Sequence, residues 1–252
     1  MGDLMSGKAG LVTGAASGIG RACAVRFGQE GASVVVADLE SARDGGEETV
    51  RLITEAGGEA ELCPCDVSRA EDSAALVARV VERYGKLDFA VNNAGIAVHA
   101  LLADTEDDDF DRVIAVNLRG TFLGMKHQIR QMLKGGGGAI VNNSSNAGLR
   151  GVHQIGAYAA SKHGVLGLTK NAAIEYADDG IRVNAVCPGA IMTPLALTVS
   201  EERRQEILAP QALSRFGEPH EVAAAVVWLC SDEASFVTGV ALPVDGASVA
   251  GW

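Results

Sequence analysis

The sequence predicts one α/β domain: a doubly wound parallel sheet of about seven strands with helices on both faces. Three observations predict it. Short apolar segments alternate with longer amphipathic ones along the whole chain. The short segments are apolar at nearly every position rather than every second one, as strands buried on both faces are. No linker-like stretch divides the 252 residues, so 1–252 reads as one domain.

Gly10–Thr13 is the first strand and runs into a glycine-rich turn. Gly18–Glu30 is the first helix, with Ile19, Ala22, Cys23, Val25 and Phe27 mostly on one side. Ser33–Ala37 is a β-branched strand ending at Asp38. Ser41–Ala56 is amphipathic and stops at Gly57-Gly58. Leu62-Cys63 ends a third strand, Ala70–Tyr84 is a helix, and Leu87–Asn92 is the fourth strand. Asp107–Lys134 is a long helical stretch, with Gly120 and Gly124 as break or close-contact points. The run Asp107-Asp108-Asp109 suits a helix start, where carboxylates meet the positive end of the dipole. Gly135–Gly138 is a turn before the fifth strand, Ala139–Asn142. A helix over Ala157–Ala177, a strand over Ile181–Cys187, a helix over Pro219–Ser231 and a strand over Val240–Val244 complete the pattern. Residues 194–217 carry no strand pattern and read as a lid or a small helical excursion.

Composition narrows the function. Hydrophobic residues are 48% and charged residues 21%, as in an ordinary globular chain. The net charge of −11 argues against nucleic acid and against anionic membrane surfaces as partners. No apolar run approaches the roughly 18 residues of a membrane span. Met1–Lys8 is polar and does not read as a signal peptide. The five scattered cysteines suit a reducing cytoplasm and unpaired thiols. Cys63-Pro64-Cys65 is too closely spaced for a structural zinc pair, and no His, Cys or Asp group has ligand spacing, so no metal is expected.

Thr13-Gly14-Ala15-Ala16-Ser17-Gly18-Ile19-Gly20 joins the first strand to the first helix. Glycines there let the backbone approach a pyrophosphate, and the helix start offers free N–H groups. The spacing Gly-x3-Gly-x-Gly departs from the usual dinucleotide fingerprint and lacks the lysine of a P-loop. Asp38 ends the next strand 18 residues beyond Gly20. A carboxylate there accepts the ribose hydroxyls of NAD and repels the 2′-phosphate of NADP. Ser17 offers no balancing charge, and Arg43 reads as a solvated helix residue. NAD is therefore the expected cofactor.

The glycine spacing, Asn92-Asn93-Ala94-Gly95 and Tyr158-Ala-Ala-Ser-Lys162 together resemble the short-chain dehydrogenase/reductase family over almost the whole chain. Asn117, Ser145, Pro188-Gly189 and Thr193 stand where that resemblance expects them. It implies a Rossmann-like fold and hydride transfer between a nicotinamide and a carbinol carbon. Tyr158 and Lys162, four apart, share one helix face. A phenol has a pKa of about 10, and a nearby ammonium lowers it. Tyr158 is the implied general base or acid. Lys162 tunes it and binds the nicotinamide ribose. Ser145 stabilises charge on the substrate oxygen, while Ser144 points the other way along the strand. Asn117 holds a water that links Lys162 to solvent.

Further cofactor contacts carry over. Gly14, Ser17, Gly18, Ile19, Gly20, Asp38 and Leu39 surround the adenosine and pyrophosphate. Asp66 and Val67 line the adenine. Asn93, Ala94 and Gly95 lie beneath the ribose, whereas Asn92 stabilises the sheet. Pro188, Gly189, Ile191 and Thr193 hold the nicotinamide. Substrate walls are expected from Ile96 to Ala100, from Ser145, Asn146 and Ala147, from His153, Gln154 and Ile155, and from Ala190 and Leu195. These hold no cluster of Arg or Lys, so a neutral secondary alcohol or ketone is favoured, cyclic ones among the candidates. His99 and His153 read as solvent-edge side chains.

Two positions depart from the pattern. Asn143 stands where an apolar residue is usual, and Ala247 where a second glycine is often found. The long helices resemble a four-helix dimer surface, and a homotetramer is expected. Two other readings stand beside the dehydrogenase: a 3-oxoacyl-carrier-type ketoreductase, and a catalytically silent NAD-binding regulator. The enoyl reductase branch resembles Tyr-x6-Lys rather than Tyr-x3-Lys.

Overall fold

The computed structural model describes residues 2–197, 201–209 and 211–250. Seven parallel strands form one sheet: β1 (Ala9–Thr13), β2 (Ser33–Asp38), β3 (Glu59–Pro64), β4 (Phe89–Asn92), β5 (Gly138–Asn143), β6 (Ile181–Pro188) and β7 (Ala241–Val244), in spatial order β3-β2-β1-β4-β5-β6-β7. The chain moves outward from β1 to β3, then returns to the other side of β1 with β4. That reversal opens a crevice at the carboxyl ends of β1 and β4, where parallel α/β sheets bind ligands. Thr13 pairs with Ala37 and Asn92 with Asn142, so the glycine loop, Asp38 and the Asn92–Gly95 segment emerge at one level.

Alternation along each strand builds two cores. Val12, Val36, Phe89, Val91 and Val141 face α1 (Gly18–Gln29), α2 (Arg43–Glu55) and a later helix over Pro219–Cys230. Leu11, Val35, Ala90 and Ile140 face α3 (Ala70–Tyr84) and two long helical stretches over 107–135 and 156–175. The Phe27 and Phe89 rings stack at 4.1 Å. Gly10 makes that possible, because a Cβ there would lie 2.6 Å from the Phe89 ring.

The long stretch is continuous: α4 (Asp107–Val113) passes through a π-helical segment, Ile114–Arg119, into α5 (Gly120–Gly135). Gly120 and Gly124 are close-contact positions and not breaks. A Cβ would sit 2.9 Å from Val67 at the first and 2.6 Å from Asn92 Oδ1 at the second. Asn92 is buried. It donates to Asn142 Oδ1 (2.9 Å) and exchanges bonds with Gln128 (3.0 and 2.8 Å), tying α5 to β4 and β5. The third strand ends at Pro64, one residue beyond Leu62-Cys63, and its start at Glu59 carries no apolar signal because it is a sheet edge with exposed and half-buried positions.

After α6 (Gly156–Glu175) and β6, the described residues between 194 and 217 form a helical excursion. It holds α7 (Pro194–Leu197) and α8 (Glu201–Leu208). Its base is closed by a parallel bridge between Ile191 and Gly217, with Met192 N donating to Gly217 O at 2.8 Å. α9 (Pro219–Cys230) follows, started by Pro219 and by the Glu221 carboxylate accepting from Glu218 N at 2.7 Å. No helix among the described residues is long and apolar enough to cross a membrane.

Candidate active site

The glycine loop is a cradle shaped by missing side chains. Gly14 has φ +63°, and a Cβ there would lie 2.8 Å from Ala94 Cα. A Cβ on Gly20 would overlap the Gly14 carbonyl oxygen. One on Gly18, at φ +53°, would meet Thr193 Cγ2 at 3.3 Å. Asn93 clamps the loop, its Nδ2 donating to Thr13 O (2.9 Å) and Gly14 O (3.1 Å). Thr13 Oγ1 accepts from Asn93 N and Ala94 N in return. Ser17 precedes α1 in extended conformation, and its side chain caps nothing. The α1 start, with Ile19 behind it, keeps its N–H groups facing the crevice. A narrow backbone cradle at a helix start fits the pyrophosphate of a dinucleotide.

Asp38 stands at the rim, its carboxylate accepting from Ala16 N and Leu39 N at 2.8 Å each. Both nearby guanidiniums are committed elsewhere. Arg43 pairs with Glu40 (2.6 Å) and Glu47 (3.5 Å). Arg21 donates to Thr49 Oγ1 (3.0 Å), Gly45 O (3.1 Å) and Ala16 O. Leu39 is 49% exposed, an apolar surface beside the carboxylate that a flat base could cover. Asp66 Oδ1 accepts from Ser68 N (2.9 Å) and Ser68 Oγ (2.7 Å), leaving its other oxygen outward of that turn. Val67 and Ala94 line one small crevice together with Gly120.

α6 carries Tyr158 and Lys162 one turn apart, and Lys162 Nζ lies 5.4 Å from the Tyr158 ring centre. Lys162 is buried, with Nζ donating to Asn143 O at 2.7 Å. Burial pulls its ammonium down to about 8. Tyr158 departs from expectation: burial pushes its phenol upward, and its hydrogen bond with Ser145 only partly opposes this. The expected lowering by Lys162 is absent because the ammonium is drawn to the Asn143 carbonyl and stands over the ring rather than at the phenol oxygen.

Ser145 Oγ accepts from Ala147 N (3.1 Å) and donates to Asn146 Oδ1 (3.2 Å). Ser144 points inward, donating to Lys162 O at 3.0 Å. Asn117 lies in the π-helical segment, fully buried. Its Nδ2 donates to Ile96 O (2.9 Å) and Ser161 Oγ (3.1 Å), and its Oδ1 accepts from Ile96 N (2.9 Å). This amide clamps the segment after Gly95 to α6, so only one Oδ1 lone pair remains for a water. Gly95 keeps the space between Asn117 and Lys162 open, since a Cβ there would lie 3.3 Å from Asn117 Oδ1 and 3.5 Å from Lys162 Nζ.

The substrate side is made of loops. Ala100 N donates to Gln154 O (2.9 Å), and Ala100 bridges to Ile155, so two expected walls are one. His99, His153 and Gln154 are exposed, and Gln154 holds φ +65°. Ala147 is buried inward rather than presented as a wall. Pro188 ends β6, and Gly189 packs where a Cβ would lie 2.7 Å from Asp245 Cα. Ile191 is buried, and Ala190 N donates to Gln211 Oε1 at 2.9 Å. A cavity of about 300 Å³ lies behind this turn, lined by Ile191, Gln211, Leu213 and Asp245, and includes none of Ser145, Tyr158 and Lys162. The side chain of Leu195 lies outside the described residues, as do residues 198–200 and 210 of the lid.

Sequence reasoning missed Ser248, whose Oγ accepts from Asn146 Nδ2 (3.1 Å) and donates to the buried Asp245 carboxylate (2.9 Å). No local pattern joins positions 102 residues apart. The five cysteines are unpaired, and burial pushes every thiol upward, which keeps them from forming thiolates. Among the described residues no three His, Cys, Asp or Glu side chains group as a metal site.

A family model described as "Enoyl-(Acyl carrier protein) reductase" matches residues 14–247. Cyclohexanol dehydrogenase of Acinetobacter sp. (strain SE19) is 45% identical over 98% of this chain and 97% of its own. The 3-oxoacyl-[acyl-carrier-protein] reductase FabG of Thermotoga maritima is 42% identical over 97% and 99%. The crystal structure of levodione reductase superposes with a TM-score of 0.93 at 38% identity, covering 98% of this chain and 100% of that one.

Proposed function

The chain belongs to the short-chain dehydrogenase/reductase family, oxidoreductases of alcohol and ketone groups, and from that premise we propose that it works with NAD on a neutral secondary alcohol or ketone. Asp38 carries the choice of NAD. Its carboxylate stands at the end of β2 on the loop amide of Ala16, with both nearby guanidiniums engaged by other partners. A 2′-phosphate brought there would meet an uncompensated negative charge. The walls at 96–100 and 152–155 contain no Lys or Arg, which supports a neutral substrate. The relatives named for cyclohexanol and levodione support a cyclic one.

The glycine cradle, Asp38, Leu39, Asp66, Val67, Asn93, Ala94 and Gly95 would hold the adenosine and pyrophosphate, and Pro188, Gly189, Ile191 and Thr193 the nicotinamide. When bound, the nicotinamide supplies the hydride acceptor or donor. Tyr158 moves the proton at the substrate oxygen. Ser145 orients that oxygen through its hydroxyl. Lys162, over the Tyr158 ring, would bind the nicotinamide ribose, and Asn117 keeps the Ile96 segment, and so the lysine's surroundings, in place. Asn146, Ile155 and Ala190 border the substrate, with His153 and Gln154 at its outer edge.

A homotetramer is part of this reading. Phe110, Phe122, Leu133 and Ile174 are exposed on the α4–α6 side, and Phe236 and Trp228 on the α9 side. Two apolar faces on opposite sides of the sheet suit two kinds of contact. The unpaired cysteines suit a reducing cytoplasm.

The test follows NADH absorbance with open-chain, cyclic, aromatic and steroidal secondary alcohols and an acyl thioester ketone, repeated with NADP. Turnover of cyclic alcohols with NAD is expected. Turnover of the thioester with NADP alone would move the protein to the carrier ketoreductase reading, which the FabG relative favours. Silence in protein that binds NADH would favour the regulator.

A further inference from the structure

Asn143 ends β5, and one residue there holds both halves of the site. Its main-chain carbonyl accepts Lys162 Nζ at 2.7 Å. Its Nδ2 donates to Asn93 Oδ1 at 2.8 Å. Asn93 spends its own two amide hydrogens on Thr13 O and Gly14 O, the turn that opens the glycine cradle. Three residues thus join the lysine to the nucleotide loop: Asn143, Asn93 and Gly14.

This amide stands where the family resemblance leads one to expect an apolar residue. It is also held at a disadvantage, because Asn143 Oδ1 is buried with no partner. Turning the amide over would not relieve it. Asn93 presents only Oδ1 on that side, so a flipped Asn143 would set oxygen against oxygen. An apolar side chain would remove the orphan acceptor, so packing gives no reason for asparagine here. The bond to Asn93 does.

We propose that Asn143 is a positioning residue for the cofactor: its side chain fixes Asn93, and through it the Thr13–Gly14 turn, at a set distance from the carbonyl that anchors Lys162. The proposal rests on the reading of this cleft as a nicotinamide-dinucleotide site. Without the link, the loop must be ordered at the moment of binding, so affinity falls while the fold stands.

The test measures NADH dissociation constants by fluorescence and melting temperatures of the free protein for wild type, Asn143→Ile and Asn143→Asp. Asn143→Ile should weaken NADH about fivefold, the size of one lost hydrogen bond, with an unchanged or higher melting temperature. Asn143→Asp keeps the shape but faces Asn93 Oδ1 with an acceptor, and should weaken NADH at least as much. NADH affinity unchanged in both variants would overturn the proposal. So would a lower melting temperature in Asn143→Ile with full affinity in Asn143→Asp, which would make the residue structural. Wild-type protein that binds neither NADH nor NADPH would overturn the cofactor reading and this proposal with it. Binding of NADPH alone would overturn only the NAD preference, and the same variants would then be read with NADPH.

Discussion

The cleft proposed for the nucleotide and the loops proposed as the substrate pocket meet at Lys162 but are built in opposite ways. The cleft is made of backbone. Its shape comes from Gly14 and Gly20, where a Cβ would strike a neighbour, and from Gly18 and Gly95, where it would be tight, and its clamps end on main-chain carbonyls. The pocket is made of side chains on loops: Asn146 held by Ser248, the Ala100–Ile155 bridge, and a helical excursion tied at Ile191 and Gly217. On the proposed reading, backbone would bind what every dinucleotide shares, and side chains what distinguishes one alcohol from another.

Tyr158→Phe separates the two most sharply. It removes the proton carrier and leaves every cleft contact in place. Turnover should fall about a thousandfold, with the NADH dissociation constant within twofold of wild type. Substantial residual turnover would remove Tyr158 from its role, and a parallel loss of NADH binding would show that cleft and pocket are not separable.

The same division explains what could be read from residues alone. The sheet was legible because its strands are apolar on both faces, and the cleft because glycine spacing marks backbone approach. Asp38 was legible because the carboxylate must end β2. The β3 edge was only half legible, since its outer positions are polar. Gly120 and Gly124 are ambiguous in sequence, as a glycine in a helix marks either a break or a contact; only Val67 and Asn92 across from them decide it. The clamp by Ser248 and the link through Asn143 were invisible, because each joins positions distant in sequence and neither follows a period. The surroundings of Tyr158 were not legible, because burial and the turning of Lys162 toward the Asn143 carbonyl follow from packing and not from the four-residue spacing.

Asp38→Ala acts within the cleft alone. Losing a charged acceptor for the ribose and a repeller of the 2′-phosphate should lower the NAD-to-NADP preference about tenfold or more, with the order of preferred alcohols unchanged. An unaltered preference would place the adenosine ribose elsewhere.

Lys162 belongs to both halves, and its buried ammonium can be read through stability. Its folded value of about 8 lies below the ordinary lysine value of 10.5. Between these the unfolded chain binds the proton and the folded chain does not, so stability from this group rises with pH. Below about 8 the folded state carries a charged, desolvated amine and its full penalty. The melting temperature of wild type minus that of Lys162→Met should therefore increase from about pH 7 to about pH 9.5, short of phenol titration. A difference independent of pH would mean that the ammonium is not held away from water as the structure shows.

The smallest effect tests where strain sits. Among the described residues two other than glycine hold left-handed backbone: Ala247 at φ +65°, in the turn capped by Asp245, and Gln154 at φ +65°, in the proposed substrate wall. A side chain in that region costs roughly 1–2 kcal/mol, and glycine returns part of the gain through its looser unfolded chain. Ala247→Gly should raise the melting temperature by about 1–3 °C, given the slope for a chain of this size, and leave the substrate profile unchanged. Gln154→Gly should give a similar gain but alter KM across the alcohol panel, because Gln154 belongs to the proposed substrate wall at 152–155. If both variants change stability alone, the wall at 152–155 does not shape specificity, and the pocket must be defined by Asn146 and the excursion instead.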